Sequence, residues 1–150
     1  MPLKGLKDVK LAIGGLKQSA NDNVRGVYLA GLKNIVQETP ADKGRARNNW
    51  FLSVTAPSNK TTTSASIGGG ASLSQASKMP KRVLGKKIFF TNNLPYIGVL
   101  EYGGFPKPVK KGSRINRKYQ KLSRNGYSLQ APRGWVRINI KRMQSKIKKL

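Results

Sequence analysis

The stretch that most narrows what this chain can fold into is residues 86–103, KKIFFTNNLPYIGVLEYG. Ile88 and Phe90 alternate with Phe89 and Thr91, the two-residue period of a strand, so 86–91 is read as one. Asn92-Asn93 suits a turn because asparagine tolerates left-handed backbone geometry, and Pro95 fixes φ as the chain leaves the strand. Tyr96, Val99, Leu100 and Tyr102 then offer a compact apolar face holding one carboxylate, Glu101, with Gly103-Gly104 as its stop. Most of the remaining chain is basic, polar or rich in small residues. The core is therefore expected to be tied together here, with Asn92, Asn93, Pro95, Tyr96, Glu101, Tyr102 and Gly103 as a structural knot.

Helical periods flank this block. Leu3, Leu6, Val9, Ile13 and Leu16 fall at spacings of three and four, and Gly14-Gly15 is expected to end that face. Residues 1–20 read as a flexible arm that orders against a neighbour. Asn21 or Asp22 can cap the next helix. Its stripe is Val24, Val27, Tyr28, Gly31, Leu32, Ile35 and Val36, ended by Thr39-Pro40. Gly26 and Gly31 each cost about 1 kcal/mol there relative to Ala, which points to close packing against another element. Pro132 suits the first turn of a last helix, with Val136, Ile140, Met143, Ile147 and Leu150 on one face.

Between the helices, Asp42 and Gly44 predict a tight turn flanked by Arg45 and Arg47, with Asp42 pairing one of the two. Trp50, Leu52, Val54 and Ala56 alternate with Phe51, Ser53 and Thr55, a half-buried strand closed by Pro57. Residues 58–69 are polar and β-branched and fit its hairpin partner. Residues 70–85 have the composition of a flexible loop, and 104–130 read as an extended basic loop. The fold class that follows is α+β in one domain, 1–150: a long N-terminal helix, a small antiparallel sheet and a C-terminal helix.

Charge bounds the function. Thirty Lys and Arg stand against five acids, a formal net charge of +25. Such self-repulsion is relieved by a polyanion, an acidic partner or a larger assembly. Eight cations fall between 107 and 124: Lys107, Lys110, Lys111, Arg114, Arg117, Lys118, Lys121 and Arg124. They are the candidates for contact with DNA or with a neighbouring subunit. Glu101, the one acid in the basic half of the chain, is expected to have an Arg or Lys partner, across a subunit boundary. The aromatics Trp50, Phe89, Phe90, Tyr96 and Tyr102 could stack bases, but their strand-period or apolar-block positions favour core packing. Trp135 fits an interface anchor and a core residue equally well.

Chemistry is expected to be absent. The chain has no cysteine and no histidine, so thiolate and imidazole sites are excluded. The acids Asp8, Asp22, Glu38, Asp42 and Glu101 are scattered singly, unlike the convergent carboxylates of metal-ion phosphoryl chemistry. Gly68-Gly69-Gly70 and Gly85-Lys86 lack phosphate-loop spacing. No enzyme activity, cofactor or metal is expected, and no apolar run approaches a membrane span or a signal-peptide core.

Three blocks then carry a resemblance. TPADKGRARNNW (39–50), FTNNLPYIGVLEYG (90–103) and Gln130-Ala131-Pro132-Arg133-Gly134-Trp135-Val136-Arg137 resemble, in this order, signatures of phage neck and tail-completion proteins. These are the tail-completion proteins of HK97-like phages and the lambdoid minor tail protein Z type. The chain departs from them at Lys43, where Thr is usual, and in a basic insertion before Gln130. The resemblance implies a virion structural protein that forms a ring, expected to be a hexamer, at the head–tail junction. Its implied partners are further copies of itself, the head connector or adaptor, tail terminator or tube proteins, and double-stranded DNA held non-specifically in the lumen. Its implied location is the virion, and the host cytoplasm during assembly. The other readings are a tail terminator or head-closure adaptor, a stand-alone basic nucleic-acid-binding protein, and a basic nuclease dependent on Glu38 or Asp42.

Overall fold

The computed structural model describes residues 4–102 and 134–150, with Lys4 by its backbone, and the backbone of 114–115 and 118–119. In chain order the elements are α1 (Lys4–Glu38), β1 (Phe51–Ser53), α2 (Gly70–Leu73), a 3-10 helix (Ser74–Lys78), β2 (Phe89–Thr91), α3 (Ile97–Tyr102), β3 (Arg114–Ile115), β4 (Lys118–Tyr119) and α4 (Trp135–Ile147). The fold is α+β, with the long first helix, small antiparallel sheet and last helix that the sequence predicts. Among the described residues no helix is long and apolar enough to cross a membrane.

The first helix corrects the expected break. Gly14-Gly15 lies inside α1, which runs unbroken for 35 residues. Two glycines cost about 2 kcal/mol against alanine, and the well-packed C-terminal half lets the helix propagate through them. Residues 5–20 are exposed, including Leu6, Val9, Leu11, Ile13 and Leu16. The helical period was legible there, but no described part of the chain covers that face. From Val24 onward α1 is packed, and Leu32, Ile35 and Val36 join Trp50, Leu52, Met79, Val83 and Trp135 in the buried core.

β1 pairs with β2 rather than with 58–69, in the register Phe51↔Thr91, Leu52↔Phe90 and Ser53↔Phe89. Leu52 is buried from this short ribbon, and the Trp50 ring stacks on Phe90 at 4.9 Å between centroids and 17° between planes. Such a pair adds about 0.5–1.5 kcal/mol beyond its buried area. The segment expected as hairpin partner is diverted by a side chain. Asn49 donates to the Thr62 carbonyl at 3.0 Å and accepts from the Thr62 N–H at 2.7 Å, which satisfies backbone groups that a strand would otherwise have paired.

Residues 70–85 are structured, not a flexible loop. They form α2 and the 3-10 helix, and then bury Met79 and Val83. Asn21, expected as a cap, sits inside α1 and clips this segment. It donates to the Lys81 carbonyl at 2.8 Å and accepts from the Val83 N–H at 2.8 Å and the Leu84 N–H at 3.3 Å.

α4 crosses α1 where Gly31 has no side chain, and a Cβ there would overlap Met143. Gly26, by contrast, faces open space. Trp135 is a core residue, 1% exposed, and its indole N–H donates to the Ile35 carbonyl at 3.2 Å. The buried positions of α4 are Trp135 and Asn139, while Ile140 and Leu150 are exposed. Of the expected face, Val136 and Met143 do pack on the core, and the face is shifted toward Trp135 and Asn139, where Asn139 bonds the Trp135 carbonyl and Glu38 at 2.9 Å each.

Candidate functional site

The blocks at 39–50, 90–102 and 134–137 meet in space. Thr39, at the end of α1, is fully buried; its hydroxyl donates to the Ile35 carbonyl at 2.6 Å and accepts the Trp50 indole N–H at 2.9 Å. Arg47 folds back onto the Thr39 carbonyl through Nε at 3.1 Å and Nη2 at 2.8 Å, and reaches the Ile67 carbonyl at 2.6 Å. A planar guanidinium suits this cross-linking of carbonyls from two segments. Gly44 adopts φ 85, and a Cβ there would strike the Ser66 carbonyl, so glycine is required on two counts. Asp42 and Arg45 are exposed, and among the described residues Asp42 pairs with neither Arg45 nor Arg47. Arg47, one of the two expected partners, is occupied by carbonyls instead.

Asn48 and Asn49 hold this turn and were not singled out from the sequence. Asn48 donates to the Gly44 carbonyl at 2.8 Å and the Ser66 carbonyl at 2.7 Å, and accepts from the Ala71 N–H at 3.1 Å. Asn49 donates to the Arg45 carbonyl at 2.7 Å in addition to its bonds with Thr62. Asn139 was likewise not singled out, while Thr39 and Asn21 were read only as a helix end and a cap and instead make buried bonds to distant segments. The available signal was a pair of amides directly before a tryptophan, where burial forces every donor and acceptor to find a partner.

The second block joins the first through Asn92, which donates to the Ala46 carbonyl at 2.9 Å and accepts from the Leu94 N–H at 3.2 Å. Asn93 donates to the carbonyls of Ser58 at 2.8 Å and Lys60 at 3.0 Å. The apolar face differs from the expected one. Leu94 is buried and Ile97 and Leu100 pack on the core, while Tyr96 and Tyr102 are exposed and Pro95 lies at the surface. Helical spacing from Leu94 to Ile97 to Leu100 turns both tyrosines outward.

Glu101 has the cationic partner expected of it, within its own chain rather than across a subunit boundary. It is 8% exposed and accepts from the backbone N–H of Val136 at 3.0 Å and of Arg137 at 3.2 Å, with Arg137 Nε at 3.1 Å. The carboxylate therefore satisfies free donors at the start of α4 and meets the positive end of its dipole. The Arg137 guanidinium also lies over the Tyr102 ring, 4.8 Å from its centroid, a cation–π contact at the protein surface.

Of the candidate contact residues, Lys107, Lys110, Lys111, Arg117, Lys121 and Arg124 lie outside the described residues, as do Gly103 and Pro132. Arg114 and Lys118 are placed by backbone alone on β3 and β4, in the register Arg114↔Tyr119 and Ile115↔Lys118. Among the described residues no three acids come together. Glu38 ion-pairs Arg142 at 2.8 Å beside its bond to Asn139, and Asp22 accepts from Gln18 at 3.0 Å. Compared with protein-family models, with curated proteins and with solved structures, the chain has no match in any of the three.

Proposed function

We propose that this chain is a structural protein of a phage particle, one subunit of a ring at the head–tail junction that joins the connector to the tail tube and surrounds the DNA path. One observation carries the reading. The blocks that resemble neck and tail-completion proteins lie far apart in sequence, yet their described parts bond to one another: Asn92 to Ala46, Trp50 on Phe90, and Glu101 to the start of α4. That the blocks meet in one knot supports reading them as one structural unit.

The charge supplies a mechanism. A formal +25 per subunit, multiplied around a ring, offers diffuse attraction to a duplex without any reading of bases. Lysines and arginines hold phosphate yet allow passage where each contact is weak and exchangeable. No catalysis is assigned, and the scaffold's task is to position cations and neighbours.

The test is to remove the chain from a phage that encodes it and to locate it in the intact particle by electron microscopy. Filled heads and free, unjoined tails are expected without it, and density at the junction with it. Complete, infectious particles lacking the chain, or turnover of a substrate by the purified protein, would overturn the proposal.

A further inference from the structure

A second cationic stretch, separate in sequence from 107–124, lies on a segment whose composition suggested only a loop. Residues 78–87 carry Lys78, Lys81, Arg82, Lys86 and Lys87 and no acid. Their backbone is fixed. Asn21 clips Lys81, Val83 and Leu84 as described above, Arg25 donates to the Pro80 carbonyl at 3.1 Å, and Met79 and Val83 are buried. Gly85, at φ 75, turns the chain so that Lys86 and Lys87 continue along the surface. Lys81, Arg82, Lys86 and Lys87 are all exposed, and among the described residues none has a carboxylate within ion-pair distance.

This segment and α1 enclose an open groove of about 700 Å³, with Gly14, Lys17 and Gln18 on one wall and Lys81, Arg82 and Gly85 on the other. No lining residue is acidic or aromatic. The carboxylate nearest in sequence, Asp22, is not among the lining residues and accepts from the Gln18 amide at 3.0 Å on both oxygens. Gly14 and Gly85 leave open space where a side chain would stand, so a ligand can approach the backbone at both edges.

We propose that this groove is a second binding site, for the phosphate backbone of duplex nucleic acid. Cations facing one another across an acid-free groove repel until phosphate lies between them. The lack of an aromatic wall removes the stacking platform that single strands use, which leaves backbone contact as the mode of binding. Clipping the loop to α1 before binding spares the ordering cost that a free lysine-rich loop would incur on contact. The site does not depend on the chain's place in a particle, since it is complete within one subunit.

The experiment uses the full chain and a duplex of mixed sequence, with affinity followed between about 50 and 200 mM salt. The variant Lys81→Gln/Arg82→Gln is compared with Lys141→Gln/Lys149→Gln, which removes equal charge from exposed positions on and just after α4. The groove variant is expected to lower the slope of log K against log salt by about 2, since each lost phosphate contact removes about 0.9. The α4 variant should change it by less than half as much, and both should keep the parent's thermal midpoint. Equal losses in the two variants, or an unchanged slope in the first, would overturn the proposal. So would a first variant that loses binding to anionic lipid vesicles while its duplex binding is unchanged. A third variant, Lys110→Gln/Lys111→Gln, separates the readings. Loss confined to it sinks the groove and leaves the junction proposal standing, whereas loss at the groove stands even if particles form without the chain.

Discussion

Glu101 shows how a single side chain can be read correctly in kind and wrongly in place. Its isolation among cations pointed to a basic partner, and Arg137 is that partner. Arg137 is largely exposed, so the ion pair itself contributes little, and the stronger bonds are those to the α4 backbone. Glu101→Gln, which can satisfy fewer of these donors, is expected to cost about 1–2 kcal/mol, and Glu101→Ala about 2–3 kcal/mol. Denaturant unfolding of both variants measures this. Full stability combined with a changed oligomeric state would instead return Glu101 to a subunit boundary. The same limit explains Asn21, Asn48, Asn49 and Asn139. An asparagine can bond its own turn or a distant carbonyl equally well, and residue type alone does not say which.

At the scale of elements, α1 is two different objects with one conformation. Its C-terminal half is packed, and its N-terminal half stands exposed with an apolar stripe. Gly14→Ala/Gly15→Ala, at positions with open space around them, should each favour the helix by about 1 kcal/mol. Hydrogen exchange should slow across 5–20, with little change in global stability because nothing described packs there. Gly26 and Gly31 divide in sign. Gly26→Ala should stabilise by about 1 kcal/mol, while Gly31→Ala meets Met143 and should destabilise by about 1–2 kcal/mol after the same propensity gain. Thermal melts of the pair check this, and equal effects would show that α4 does not cross α1 at Gly31. Gly31 lies on the apolar stripe of the helix and Gly26 off it, so the helical period already sets them on different faces, but it does not say what meets Gly31. The crossing of α4 decides that Met143 is the neighbour.

For the whole molecule, a small core goes with thirty cations and only five acids in the chain. Repulsion spread over such a surface opposes compaction and is screened by salt. Raising ionic strength from about 10 to about 500 mM should therefore raise the thermal midpoint by roughly 2–6 °C, equivalent to about 1–2 kcal/mol. A duplex added at low salt should do the same by mass action on the folded state. A midpoint that falls with salt would mean that the few ion pairs outweigh the repulsion.

Local pattern alone made legible the α+β class, the helical period of both terminal helices, a strand ending at Thr91 (read over 86–91, found over 89–91) and the turns at Gly44 and Asn92. Each follows from a pattern within a few residues, because backbone geometry sets the period with which side chains return to one face. Tertiary structure alone decided that β1 pairs with β2 and not with 58–69, that Met79 and Val83 enter the core, and that Trp135 is buried against α1. Those outcomes are choices among surfaces distant in sequence. They are settled by which pairing buries the most apolar area with every polar group satisfied, a competition that no local window contains.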